Sequence, residues 1–82
     1  MTASGSLKAM ALKIGFVQDA NKLHYFEKRI PLSCLTIADN ADGGFSATYY
    51  CQFNEQKYSG EFGPKGGKKN YAARRIVELL SV

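Results

Sequence analysis

Eighty-two residues allow one two-layer core and leave no room for a cleft between domains. A hydrophobic fraction of 45% and aromatics that are all Phe or Tyr describe a folded unit and exclude a disordered tail. Eleven basic against seven acidic residues give a formal charge of +4, a modest excess that favours a polyanion partner without requiring one.

The charge is concentrated. Lys65, Lys68, Lys69, Arg74 and Arg75 crowd one stretch, whereas Asp19, Glu27, Asp39, Asp42, Glu55, Glu61 and Glu78 are scattered. Cys34 and Cys51 lie in apolar, strand-like surroundings without CxxC spacing, so neither a disulfide framework nor a zinc site is indicated. No apolar run approaches the roughly 18 residues of a membrane span, and the N-terminus carries no basic-then-apolar signal pattern. An intracellular protein, cytoplasmic or nuclear, is therefore expected.

Taken in chain order, residues 1–6, "MTASGS", are small and polar and read as a disordered tail or linker, leaving 7–82 as a single domain. Leu7, Met10, Ala11 and Ile14 then follow the i, i+3, i+4, i+7 stripe of an amphipathic helix, which Gly15 ends. Leu23, Phe26 and Ile30, with Tyr25 beside them, suggest a second short helix capped at Asp19 or Asn21 and stopped by Pro31. Both stripes read as core faces.

After Pro31 the pattern changes. "LSCLTIA" is a strand, and "ADNADGG" is a loop in which Asp and Asn bond their own backbone and Gly supplies positive φ. "FSATYYCQFN" alternates: Phe45, Ala47, Tyr49, Cys51 and Phe53 share one face, while Ser46, Thr48, Tyr50, Gln52 and Asn54 share the other. A turn at "NEQK" leads into "KYSGEFG", a third and edge strand. One face is wet and the other rich in Phe and Tyr, so all helices must cover the same face.

"GPKGGKKNYAARRIVELL" closes the chain with a helix whose buried face is Ala72, Ala73, Ile76, Val77 and Leu80. Its start is not a nucleotide-binding P-loop, because GxxxxGK[ST] would need Gly in place of Phe62 and Ser or Thr in place of Lys69. Lysines at a helix N-terminus oppose the dipole, and an external anion, with a row of phosphates the natural candidate, is expected to compensate them.

The three strands ending in "YSGEFG" and followed by "GGKKNYAARRIVELL" resemble the C-terminal half of a double-stranded-RNA-binding domain. That resemblance implies an α+β two-layer sandwich, α-β-β-β-α, with a three-stranded antiparallel sheet and here an extra N-terminal helical segment. It also implies phosphate contacts from Lys65, Lys68 and Lys69 across the RNA major groove. Two departures bear on function. In the register set by Ala72 and Ala73, the family's second clamp lysine is Gly66, and its Gly-Pro and His loop is replaced by "ADNADGG", bringing Asp39 and Asp42.

A degenerate copy of this kind is similar to the third domains of Dicer-partner proteins, which contact protein instead of RNA. By that likeness the dimer or partner interface is the edge strand Lys57, Tyr58, Ser59, Gly60, Glu61 and Phe62, pairing with a second copy or a Dicer-like protein. The expectation is a module without catalysis, cofactor or metal, in an RNA-silencing or RNA-processing protein. It acts mainly by homodimerisation or partner binding, or alternatively by direct, sequence-independent binding of double-stranded RNA. His24 has no Cys, Asp or Ser in a catalytic spacing and reads as a surface or partly packed residue. Cys34 and Cys51 read as small core residues, and Tyr50 as a surface aromatic opposite the core-facing Tyr49.

Overall fold

The computed structural model describes residues 4–22, 24–30 and 32–81. Its elements run α1 (Gly5–Lys13), β1 (Val17–Gln18), β2 (Tyr25–Lys28), β3 (Ser33–Asp39), β4 (Phe45–Cys51), β5 (Gln56–Phe62) and α2 (Tyr71–Leu80). The strands form an antiparallel meander in the order β1-β2-β3-β4-β5, and both helices contribute to one core on one face. The architecture is a two-layer α-β(5)-α fold.

α1 uses the expected stripe: Leu7 and Ala11 are buried, with Met10 and Ile14 packed at the core margin. It starts at Gly5, and Ser4 is buried with its hydroxyl 3.3 Å from Asp39 Oδ1. Residues 4–6, set outside the fold by composition, therefore belong to it. Gly15, at φ 106, turns the chain out of the helix, and the Phe16 amide closes the corner on the Ala11 carbonyl at 3.0 Å.

The sheet corrects the expected topology in two ways. It has five strands, not three, because 17–18 and 25–28 extend it beyond β3. The stretch read as a second helix is the strand β2, while Leu23 and Pro31, the proposed start and stop of that helix, lie outside the described residues. Leu23, Phe26 and Ile30 are spaced by three and four as on a helix, but only Phe26 of them falls within the strand, too few apolar positions to fix a period. Pairing with β3 decides between them: Phe26 opposes Leu35 and both are fully buried, whereas Ile30, which a helix would have buried, is 87% exposed. α1 is consequently no extra segment but the first of the two covering helices.

The inner face carries Phe26, Leu35, Ile37, Phe45, Ala47, Tyr49, Cys51 and Phe62 against Ala73, Ile76 and Leu80 of α2. Phe45 and Phe62, opposed across β4 and β5, stack with ring centroids 4.5 Å apart. The expected alternation of β4 holds from Phe45 to Cys51 and stops there. Phe53 is in the following turn and 83% exposed.

Candidate functional site

The glycines and lysines before α2 form a loop bound sideways to β5. Gly63 and Gly66 close a tight turn at 2.9 Å, with Gly66 at φ 82, and the Gly63 amide reaches the Gly67 carbonyl at 2.9 Å. The Lys69 amide donates to the Glu61 carbonyl at 2.9 Å. Asn70, the N-cap of α2, accepts from the Ala73 amide at 2.8 Å and the Glu61 amide at 3.2 Å, and donates to the Ser59 carbonyl at 3.3 Å. One side chain therefore caps the helix and fastens it to the sheet edge.

Lys65, Lys68 and Lys69 are all exposed on this loop. Lys69 approaches Asp42 of the β3–β4 loop, Nζ to Oδ2 at 3.9 Å, while the other oxygen of Asp42 accepts the Gly44 amide at 2.8 Å. Lys65 and Lys68 make no ion pair among the described residues. They also help wall an open groove of about 210 Å³, whose apolar side is Leu7, Met10, Phe45 and Phe62. Gly66, where the resembled family places a lysine, has a positive φ that L side chains rarely adopt. A lysine there would be strained.

The six residues of the expected interface strand divide by the pleat. Lys57, Ser59 and Glu61 are exposed, Tyr58 is half-buried, and Gly60 and Phe62 are buried beneath the helices. Tyr58 lies between Tyr49, 6.4 Å away, and the Arg75 guanidinium, 5.7 Å from its ring. The hydrogen bond with Tyr58, then the one with Glu78, raises the pKa of Arg75. The outward-facing groups of β5 are partly used: the Ser59 carbonyl, both backbone groups of Glu61 and the Gly63 amide bond the 67–70 segment. By strand alternation, the Lys57 backbone groups and the Ser59 amide remain directed to solvent.

The outer face is polar at its centre, and exposed apolar side chains gather in the turns at one end of the sheet. Ile30, Leu32 (47% exposed) and Phe53 occupy neighbouring turns, joined by a 2.9 Å bond from the Gln52 amide to the Leu32 carbonyl. No spacing rule singles these residues out, because their exposure depends on which strands turn beside each other. On the same face the Tyr25 hydroxyl donates to Glu27 Oε1 at 3.0 Å, and this bond, helped by burial, pushes the Tyr25 pKa up to about 12. Burial chiefly raises the phenol of Tyr49 on the inner face.

His24 is exposed, Cys34 is half-buried on the outer face and Cys51 is buried in the core, both cysteines being free thiols. Among the described residues no group of three or more His, Cys, Asp or Glu is placed to hold a metal, and no helix is long and apolar enough to cross a membrane. Neither a family model, a curated protein nor a solved structure matches this chain.

Proposed function

We propose that this chain is a non-catalytic module of the double-stranded-RNA-binding-domain type in an RNA-silencing or RNA-processing protein, working mainly by assembly. Its partner is a second copy of itself or a Dicer-like protein. The observation that carries the assembly reading is the apolar end of the sheet, where Ile30, Leu32 and Phe53 stand exposed in adjoining turns. Exposed apolar clusters of this kind mark interaction surfaces. The phosphate grip is correspondingly reduced, since Lys69 is partnered by Asp42 and the second clamp position is a positive-φ glycine.

Direct binding of double-stranded RNA is the second reading, favoured by the exposed Lys65 and Lys68 on a loop held rigidly at a helix N-terminus. In that mode the lysines meet phosphates and read no bases, so affinity is indifferent to sequence and falls with salt. Sedimentation over a concentration series, with a duplex gel shift at two salt concentrations, separates the readings. Self-association without RNA affinity is the expected result. A strict monomer with salt-sensitive duplex binding would overturn the assembly reading.

A further inference from the structure

Across the outer face, one transverse row joins all five strands, beginning with Val17 of β1 opposite Glu27 of β2. Glu27 of β2 is opposite Cys34 of β3, Cys34 is opposite Tyr50 of β4, and Tyr50 is opposite Lys57 of β5. The pleat turns these four away from the helices, whose side takes the adjacent Phe26, Leu35, Tyr49 and Tyr58. The row thus carries an acid towards one end, with the exposed Val17 beyond it, a base at the other end, and a thiol and a phenol ring between the two charges.

With strands about 4.8 Å apart, the two charges are separated by roughly 14 Å. They cannot pair within one chain, and Lys57 makes no ion pair among the described residues. The neighbouring row of Tyr25, Thr36, Thr48 and Ser59 is uncharged. Arg29 and Glu55, exposed in the turns that follow β2 and precede β5, adjoin the two charges with the signs reversed.

We propose that a second copy of this chain docks on this outer face, around a two-fold axis running along the strands between β3 and β4. The proposal rests on the assembly reading and gives it a surface. Rotation about that axis lays Glu27 of each copy over Lys57 of the other, and brings Arg29 towards the other copy's Glu55. A two-fold axis along the row would instead stack Glu27 on Glu27 and Lys57 on Lys57, which like-charge repulsion disfavours. Charge therefore selects one self-complementary arrangement, with the strands of the two sheets aligned as in a β-sandwich. Leu32, Tyr50 and the aliphatic stem of Lys57 supply its apolar contact.

A face of this size buries less than about 1,200 Å² in total, which corresponds to a weak dimer, with Kd between about 10 µM and 1 mM. Sedimentation velocity over that range is run on the whole chain and on Glu27→Lys, Lys57→Glu and the double reversal, with far-UV circular dichroism confirming the fold. Each single reversal should weaken self-association by about tenfold or more, and the double reversal should restore it. As a second readout, Cys34 thiol reactivity should fall with protein concentration in the wild type and double variant only, Cys51 being buried. If a reversal unfolds the chain, Glu27→Gln and Lys57→Met replace it, each expected to weaken association severalfold.

Single reversals that associate as the wild type does would overturn this face while leaving the assembly reading standing. A wild-type chain that stays monomeric to about 1 mM would overturn this face and, with it, the self-association branch of the assembly reading, leaving a Dicer-like partner as its other branch.

Discussion

Replacing Gly60 by alanine tests how α2 is seated. A Cβ at Gly60 would lie 2.8 Å from Ala73 Cα, 3.0 Å from Ala73 N and 3.0 Å from Ile76 Cδ1. Carbon atoms rest about 3.5–4.0 Å apart, so the helix must retreat by the better part of an ångström or the strand must yield. Ile76 can rotate away, but the Ala73 backbone cannot, and Asn70 ties the helix start to the same strand. Overpacking of this kind costs about 1–3 kcal/mol. Against it, Gly60 is not among the positive-φ glycines, so alanine also recovers about 0.4–1 kcal/mol by restricting the unfolded chain. The net expectation is a loss of about 1–2 kcal/mol, a fall in Tm of roughly 5–15 °C for a domain this small. Thermal melts and urea midpoints with unchanged m-values measure it. Gly67→Ala is the control: no heavy atom lies within 4 Å of its added Cβ and its φ is not positive, so stability should hold or rise slightly. A Gly60→Ala variant as stable as the wild type would refute the close seating of helix on strand.

Four further outcomes follow from the geometry. Asn70→Ala removes a helix cap and two ties to β5, and should cost about 1–2 kcal/mol in urea unfolding, with Asn70→Asp losing less because the acceptor remains. Asp42→Asn frees Lys69; if the lysine loop meets RNA, duplex affinity in gel shifts should rise by up to about fivefold at low salt, and by nothing in a Lys69→Ala background. Lys65→Ala with Lys69→Ala should leave the oligomer intact while reducing any duplex binding; an unaltered gel shift would refute that site. Tyr25 ionises at about 12 in the folded chain, against an ordinary 10. The unfolded chain therefore loses this proton first, and the associated stability is complete below pH 10 and lost as the pH climbs towards 12. Ultraviolet difference titration should follow the late phenol, and Glu27→Gln should bring it back towards the ordinary value.

Legibility tracked how local each signal was. The α1 stripe, the alternation from Phe45 to Cys51 and the alanine-faced α2 are one-element patterns, and each is found where the spacing places it. The stretch from Tyr25 to Lys28 owes its helical spacing to Leu23 and Ile30, which lie outside the strand, and its partner β3 decides. The three lysines were identifiable by type, but their pairing was not: Asp42 reaches Lys69 only because the β3–β4 loop folds beside the start of α2. Likewise Lys57 to Phe62 was legible as an edge strand. Its alternation also places Tyr58, Gly60 and Phe62 on the inner face, but that Asn70 occupies part of the edge follows from long-range contacts no periodicity encodes.

The fastening of segment 67–70 along β5 also limits how far copies of this chain can propagate. One sheet margin is the two-residue β1, and the other keeps few open backbone groups beyond Lys57. Neither offers the long ladder on which strand after strand could be recruited. A two-fold contact through the proposed outer face would close on itself after two molecules, so on that proposal crowding these domains together should give finite pairs instead of filaments.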